Sequence, residues 1–498
     1  MNVTKSYMFR EVANMRNITQ LIAKLTMVLV ASTLGVQQAM ATATSTDYSL
    51  QPPVLTNSET PLVMFGLSVD HQLFYKAYSD YSDIRGDGEL SIDYEDDFEY
   101  YGYFDPDWCY AYTDSDGGYF TPGTRAVGTP DTHTCSVGTE WSGNLLNWAT
   151  MSRIDILRTV LYGGKRVLPE TVYDINTLGS VGAYLERAYI PNDNHAFAKV
   201  IKTNVANLTP FSSAFTICNL STDPSDPPIF RIASGEHRRW SVDESRQCLF
   251  SGTSNSPTLA SEGLTPDGGS TSTSSEAQAT VRVAKCVNGK DHSSDDCREY
   301  VDGSAISYRP TGLLQEYGES DDLKFGLISG SYENNIEGGA LRKTISSFTD
   351  EIDLDDGTFT GVDGIVKTVD AIEISHWDGS RYEDCNTHSI KISDFDDSIV
   401  GSTKHCSNWG NPVAEIYLEA LRYFAGQSET SAFSTVDSTG SGASDTGDEL
   451  GESADWPALV DNPLNADNFC ADCSIIMLSS GVNSFDSDDL HEADDIPG

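Results

Sequence analysis

Basic residues are scarce in this sequence of 498 residues. Only 31 Lys and Arg stand against 75 Asp and Glu, which gives a formal net charge of −44. A field of that sign repels the phosphates of nucleic acids, so a nucleic-acid partner is excluded. Apolar residues still make up 39% of the chain, which is enough to build hydrophobic cores and excludes a disordered acidic tail.

The chain also lacks an apolar run long enough to cross a bilayer, for which about 20 residues are needed. The apolar stretch 25–36 is shorter, follows Arg16 and Lys24, and ends in Ala39-Met40-Ala41. This order of basic, apolar and small residues is typical of a secretory signal peptide. We therefore predict a signal peptide over 1–41, a linker over 42–59, and a secreted or periplasmic protein without a transmembrane anchor.

Ten cysteines fall into five pairs of sequence neighbours, which suits an oxidising compartment. We interpret them as local disulfides that staple irregular segments, although sequence alone does not fix their connectivity. The last pair also has the spacing of a redox or zinc hairpin, but no second CxxC lies nearby, so we favour a structural disulfide. The pairs are Cys109/Cys135, Cys218/Cys248, Cys286/Cys297, Cys385/Cys406 and Cys470/Cys473.

Motifs of catalysis are missing as well. No GxSxG, HExxH or phosphate-binding glycine loop occurs, and the nine His residues show no metal-ligand spacing. We therefore expect no enzymatic activity. A secreted calcium-dependent enzyme such as a glycan hydrolase is the alternative, because a catalytic carboxylate pair cannot be picked out of 75 acidic residues.

Three short apolar runs, 61–70, 323–331 and 474–478, have the pattern of strands that are buried on both faces. Apolar residues recur every three or four positions in 141–162 and 411–426, which predicts two helices that end at glycine. Apolar strands that alternate with amphipathic helices imply an open parallel sheet covered by helices. The core is therefore predicted to be α/β.

Several blocks of sequence are distinctive. The first runs from Trp141-Ser-Gly-Asn-Leu-Leu-Asn-Trp148 through Met151-Ser-Arg-Ile-Asp-Ile-Leu-Arg158 to Gly163-Gly-Lys-Arg166. Other blocks are Tyr100-Tyr-Gly-Tyr-Phe-Asp105, Phe325-Gly-Leu-Ile-Ser-Gly-Ser331, Gly338-Gly-Ala-Leu-Arg342, Asn411-Pro to Tyr423-Phe424, and Ser480-Gly-Val-Asn-Ser-Phe-Asp-Ser-Asp488. In these blocks, taken in this order, the chain resembles the N-terminal region of the PilC/PilY type IV pilus tip and biogenesis proteins.

The resemblance implies a von Willebrand factor A-like domain over 60–498, an open, mostly parallel sheet with helices on both faces. Its large disulfide-stapled insertions would include mobile low-complexity loops at about 251–280 and 427–455. The calcium-binding propeller of that family is absent from this sequence, so we expect a fragment or a truncated product.

In function, the resemblance implies an exported protein at the pilus tip (the fimbrium) or the outer surface. It would contact pilin or minor pilin subunits, and a host or abiotic surface, and would support pilus assembly, adhesion and twitching motility. A surface adhesin unconnected with pili is a further alternative.

An A-type domain can hold Mg²⁺ or Ca²⁺ through a DxSxS strand end and two other loops, because hard cations prefer oxygen ligands. The family's pattern places Ser68, Asp70 and Gln72 at the three strand-end positions, with the other two ligands near Asn411 and Ser480. Too few carboxylates remain in this set. We therefore predict that the A-type metal site is degenerate or lost.

A better candidate for Ca²⁺ is the segment 83–94, which resembles the EF-hand-like loop DxDxDGxL. Asp83 and Asp87 stand at ligand spacing around Gly88, and Glu89 would offer its carbonyl. Leu90 is expected to pack inward. Position 3 of the loop is Arg85, which cannot bind a cation, but Asp93 lies beside position 12. We predict a calcium site at Asp83, Asp87, Glu89 and Asp93, with an ordinary Asp-Gly turn as the alternative.

Overall fold

The computed structural model describes only part of the chain. The described residues are 59–69, 71–115, 117–129, 132–167, 181–190, 197–220, 227–241, 278–330, 338–372, 381–384, 388–391, 411–430, 463–465, 468–469, 471–479, 481, 483 and 486. The predicted signal peptide and most of both low-complexity loops lie outside them. Over the described ranges, no helix combines the length and the hydrophobicity that crossing a bilayer requires.

All three predicted strands are present in one sheet, but only the first two are buried, because the third is exposed or half-exposed along its length. Strand β1 (Leu62–Leu67) lies between β13 (Lys324–Gly330) and β17 (Cys473–Leu478), and both pairings are parallel. Strand β14 (Gly338–Ser346) extends the sheet beyond β13 in the antiparallel direction. Three strands from distant parts of the sequence therefore end at one edge of the same sheet.

Six helices occur among the described residues: α1 (Gly143–Thr150), α2 (Arg153–Tyr162), α3 (Val205–Leu208), α4 (Leu313–Gly318), α5 (Ile365–Ala371) and α6 (Val413–Phe424). Short 3-10 turns lie at His71–Phe74, Arg238–Ser241, Asp291–Ser293 and Phe348–Asp350.

Helices cover both faces of this four-stranded sheet, as the alternation of side chains along β1 requires. Met64 faces one layer, in which Ile416 and Ala420 of α6 pack. Val63 and Phe65 face the opposite layer, which contains apolar side chains of α2, α4 and α5. The predicted α/β core is therefore confirmed.

The predicted helix over 141–162 is wrong in one respect, because it is two helices. Met151 and Ser152 between them are extended, and the backbone N–H of Ala77 donates to the carbonyl of Met151 at 2.9 Å. Ser152 then caps α2, since its backbone N–H donates to Asp155 at 3.0 Å. Pairing with residues 76–77 and this capping box interrupt a helix that the apolar spacing alone would continue.

The remaining strands form other sheets. Their bounds are β2 Trp108–Thr113, β3 Tyr119–Arg125, β4 Trp141–Ser142, β5 Ala183–Glu186, β6 Ala198–Ile201, β7 Phe215–Cys218, β8 Ile229–Ser234, β9 Gln278–Thr280, β10 Arg282–Lys285, β11 Cys297–Asp302, β12 Ala305–Pro310, β15 Arg381–Asp384 and β16 His388–Lys391. A five-stranded sheet has the order β4-β2-β3-β10-β5, and a four-stranded antiparallel sheet has the order β6-β7-β8-β9. Two hairpins, β11/β12 and β15/β16, complete the set among the described residues.

The expectation of one open, mostly parallel sheet is therefore corrected. The fold is mixed α/β with several sheets, and most strand pairs outside the β1 sheet are antiparallel. Segments that the sequence presents as irregular insertions contain short strands of their own, such as β6 to β9. Each is only three to six residues long, which is too short to show a clear alternation of apolar and polar residues.

Disulfides staple these additional segments, as predicted for two of the five pairs. Cys109 bonds Cys135, and Cys286 bonds Cys297. Cys218 is also disulfide-bonded, but its predicted partner is outside the described residues, as is the pair Cys385/Cys406. The predicted Cys470–Cys473 disulfide is not formed, because Cys473 is an exposed free thiol at the start of β17.

Candidate functional site

The carboxyl edge of the parallel strands is the first candidate site, since ligands of open α/β sheets bind at this edge. Ser68 follows β1, is buried, and donates its backbone N–H to the carbonyl of Leu478 at 3.0 Å. The Asn411 amide, also buried, donates to the hydroxyl of Ser479 at 3.1 Å. The side chain of Gln72 lies against Gly481. The structure thus brings together three residues that the A-type pattern selected.

A buried arginine stands beside this group. Arg342 of β14 donates from Nε to the hydroxyl of Ser329 at 2.9 Å, and Ser329 is the register partner of Leu67 at the end of β1. Burial lowers the pKa of Arg342 to about 9. A guanidinium next to hydroxyl and amide groups favours hydrogen bonding over binding of a divalent cation. Asp70 and Ser480, the other two residues of the pattern, are outside the described ranges.

The acidic loop at 83–93 is the second candidate. The Asp83 carboxylate accepts backbone N–H groups from Gly86, from Asp87 at 3.0 Å and from Gly88 at 3.0 Å. Asp87 in turn accepts the N–H of Glu89 at 2.9 Å. These contacts are those of an Asp-Gly turn stabilised by its own side chains. They use carboxylate lone pairs that a calcium ion would otherwise take.

Asp93 is directed toward cationic side chains. It pairs with Lys202 at 3.1 Å and with Arg238. Arg85 folds over the loop and pairs with Glu95 and Asp97. Within the described ranges, no group of three or more His, Cys, Asp or Glu is arranged to hold a metal ion. The calcium site at Asp83, Asp87, Glu89 and Asp93 stays a prediction, and binding there would require Asp93 to leave its ion pairs.

The prediction that Leu90 packs inward is wrong. Leu90 is exposed, because the loop is closed by a bridge between Ser82 and Ser91 that places Leu90 on its outer side. The backbone N–H of Ser91 donates to the carbonyl of Ser82 at 3.0 Å.

Two asparagines of α1 join the most distinctive sequence blocks. Asn147 accepts the backbone N–H of Phe104 at 3.0 Å and donates to the carbonyls of Tyr100 and Phe104, each at 2.7 Å. Asn144 accepts the N–H of Tyr100 at 2.7 Å and donates to the carbonyl of Phe98 at 2.8 Å. Both amides are buried, so the segment 98–104 is held by hydrogen bonds that water cannot replace.

Most of the aromatic residues between 98 and 120 pack in the hydrophobic core that also contains side chains of α1. Tyr100, Tyr103, Phe104, Tyr110 and Phe120 are all buried in it. Several of their ring contacts are edge to face, as between Phe104 and Tyr110, whose ring centroids are 5.1 Å apart. These side chains are therefore not available as surface anchors for a partner.

A buried ion pair lies under α1. Lys199 Nζ is 2.5 Å from Asp80 and 4.3 Å from the ring centroid of Trp148. Burial lowers the pKa of Lys199 to about 8, against the opposing charge of Asp80. Burial also raises the pKa of Asp80, but Lys199 and Lys76 outweigh it and hold that pKa below its usual value. Sequence analysis missed this pair, because nothing in the spacing of residues 80 and 199 signals their contact.

Comparison with known sequences matches these structural blocks to one family. A family model described as "PilY1 homolog, small alpha/beta domain" matches residues 91–233, which include α1, α2 and the segment 98–104 that hydrogen bonds from α1 hold. A second, described as "PilY1 homolog, second domain", matches 325–497, which include β13, β14, α6 and β17. This chain is a PilY1-like protein.

Two curated relatives of this PilY1-like chain come from Xylella fastidiosa, and both are named "Type IV pilus biogenesis factor PilY1 homolog". The first is 31% identical over 395 residues, which cover 73% of this chain and 24% of the relative. The second is 28% identical over 266 residues, which cover 51% of this chain and 19% of the relative. The chain thus spans about a quarter or less of each relative. No solved structure matches it significantly.

Proposed function

We propose that this PilY1-like chain is an exported component of the type IV pilus that supports pilus assembly and surface adhesion through protein contacts. The observation that carries the proposal is the match of both halves to PilY1 homolog domains, together with relatives named as pilus biogenesis factors. Its partners would be pilin or minor pilin subunits, and a host or abiotic surface. We place it in the periplasm, on the outer surface or at the pilus tip.

We propose that the fold over 60–498 is von Willebrand factor A-like. The central position of β1, its two parallel neighbours and helices on both faces support this proposal. Export is supported by the two disulfides, which suit an oxidising compartment. We also propose that calcium modulates the contact function, through the loop at 83–93.

A contact function, without catalysis, fits the chemistry of the sites. The side-chain amides of Asn144 and Asn147 are already hydrogen-bonded to backbone groups. The carboxyl edge of the parallel strands presents hydroxyl, amide and guanidinium groups. The alternatives are a secreted calcium-dependent enzyme and an adhesin that acts without pili. The acidic loop is the feature that the enzyme hypothesis shares with ours.

Gene deletion tests the proposal. The deletion strain should carry fewer surface pili by electron microscopy and should twitch and adhere less than its parent. Expression of this chain in that strain should restore piliation at least in part. Unchanged piliation, twitching and adhesion would contradict the proposal, and loss of adhesion alone would favour the pilus-independent adhesin. Saturable hydrolysis of a glycan by the purified protein would favour the enzyme.

A further inference from the structure

The loop at 81–92 exposes three large apolar side chains. Tyr81, Leu90 and Ile92 are 54%, 57% and 44% exposed, respectively. Side chains next to a bridged pair point to the face opposite that pair. Because Ser91 of the Ser82–Ser91 bridge is buried, Tyr81, Leu90 and Ile92 share the face that is turned to solvent.

This loop is held in one conformation although its apolar side chains contribute little to a core. Asp83 and Asp87 fix the turn through backbone N–H groups, and Arg85 ties it to Glu95 and Asp97. Arg238 fixes the loop's end by donating to the carbonyl of Ile92 at 3.1 Å. A preorganised segment loses less conformational entropy on binding, so this arrangement suits recognition.

The charge around the apolar face narrows the choice of partner. Residues 80–99 contain nine Asp and Glu but only one basic residue, Arg85. Lys202 and Arg238 approach from elsewhere in the chain and pair with Asp93, whereas Asp87 and Glu89 are exposed beside Leu90. A second copy of this chain, with its charge of −44, would be repelled, and so would anionic lipid. A protein with Lys and Arg around an apolar depression is complementary to this loop.

We propose that loop 81–92 is a docking surface for a protein partner that has an apolar depression rimmed by basic residues. Tyr81, Leu90 and Ile92 would enter the depression, while Asp87 and Glu89 would meet the basic rim. The inference rests on the proposed function, in which this partner is a subunit of the pilus.

The test is co-sedimentation of the purified protein with pili sheared from the same organism, in the presence of a chelator so that calcium plays no part. The loop variant Tyr81→Ser/Leu90→Ser/Ile92→Ser should bind about tenfold more weakly than wild type, because it loses the buried apolar anchors. The control Tyr417→Ser/Leu421→Ser removes apolar side chains of α6 with comparable exposure, 44% and 38%. This control should bind within about twofold of wild type.

Charge is tested separately. Asp87→Asn/Glu89→Gln retains a side-chain acceptor for the turn and should make binding less sensitive to salt between about 50 and about 300 mM. If the triple variant loses thermal stability, the single variant Leu90→Ser replaces it, since Leu90 is the most exposed of the three.

Equal binding of pili by wild type and loop variants would overturn the docking inference and leave the proposed function intact. Failure of wild type to bind pili, with normal piliation of the deletion strain, would instead contradict the proposed function and the inference with it. Binding to anionic lipid vesicles that depends on Leu90 would overturn the choice of a protein partner.

Discussion

Asn147 holds both backbone polar groups of Phe104: its amide oxygen accepts the Phe104 N–H and its amide nitrogen donates to the Phe104 carbonyl. The two residues are 43 positions apart and belong to separate sequence blocks. The contact explains physically why an asparagine stands at a buried position of α1, where an apolar residue would otherwise pack.

Replacement of this asparagine should destabilise the fold. Asn147→Ala would leave the Phe104 N–H and the carbonyls of Tyr100 and Phe104 buried without partners, which should cost about 3 kcal/mol of unfolding free energy. Urea denaturation measures the change. Asn207→Ala, at an exposed asparagine of α3, is the control and should cost less than about 0.5 kcal/mol. Equal losses of unfolding free energy for the two substitutions would contradict the role of Asn147 in holding the backbone of Tyr100 and Phe104.

A buried carboxylate next to a disulfide should make stability depend on pH. Asp291 accepts the N–H of Val287 at 2.7 Å, and burial, partly opposed by Lys285, raises its pKa to about 6. A carboxyl with a raised folded-state pKa stabilises the fold below its unfolded value of about 4, and this contribution is lost as pH rises through about 6.

The measurement compares wild type with Asp291→Asn. The unfolding free energy of wild type relative to the variant should fall by roughly 2 kcal/mol between about pH 4 and about pH 7. The other carboxylate oxygen of Asp291 accepts the N–H of Cys286 at 3.2 Å, and asparagine can keep only one of the two acceptors, so the lost hydrogen bond should contribute a constant offset. A difference that does not change with pH would show that Asp291 titrates normally.

The cysteines should differ in reactivity. Without reductant, mass spectrometry should find Cys109 linked to Cys135 and Cys286 linked to Cys297, while Cys473 is alkylated. Partial burial and the neighbouring Asp472 raise the pKa of Cys473, so its alkylation at neutral pH should be slow and should accelerate in urea. Recovery of a peptide in which Cys473 is bonded to another cysteine would contradict its assignment as a free thiol.

The calcium prediction has a direct test at the acidic loop. If the loop binds Ca²⁺, Asp87→Ala should weaken binding at least about tenfold, because one of few anionic ligands is lost. Ser68→Ala should change calcium uptake little, since a hydroxyl is not an anionic ligand. Titration calorimetry that gives equal uptake for wild type and Asp87→Ala would discard the site.

Sequence patterns predicted the three parallel strands of the β1 sheet because these strands are rich in apolar residues. Runs of apolar residues identified β1, β13 and β17, although only β1 and β13 are buried, and the stripe along 411–426 identified α6. The same patterns gave no warning that 141–162 is divided, because apolar spacing continues across Met151 and Ser152. The helix is interrupted there by a capping box and by a backbone contact with residues 76–77. This contact is long-range in sequence, so a local pattern does not reveal it.

Patterns also failed where buried positions are polar. Lys199 lies in β6 and Arg231 in β8, and both are buried among apolar neighbours. Such residues make a strand look solvated, so its tertiary partners are needed to recognise it. At the acidic loop, spacing placed Asp83 and Asp87 in one turn, where the Asp87 N–H donates to the Asp83 carboxylate, but it could not show that Asp93 pairs with Lys202 and Arg238.

The central place of β1 has a consequence for how the chain folds. Its two parallel neighbours begin about 260 and about 410 residues later in the sequence. Because these partners are so remote, β1 cannot pair with them until most of the chain has been synthesised. Contacts of such long range also slow folding. Until β17 arrives, the apolar edge of β1 is open to incorrect pairing with other strands. We therefore expect β1 to depend on a holding chaperone during synthesis, and in vitro refolding by dilution to be limited by closure of this sheet.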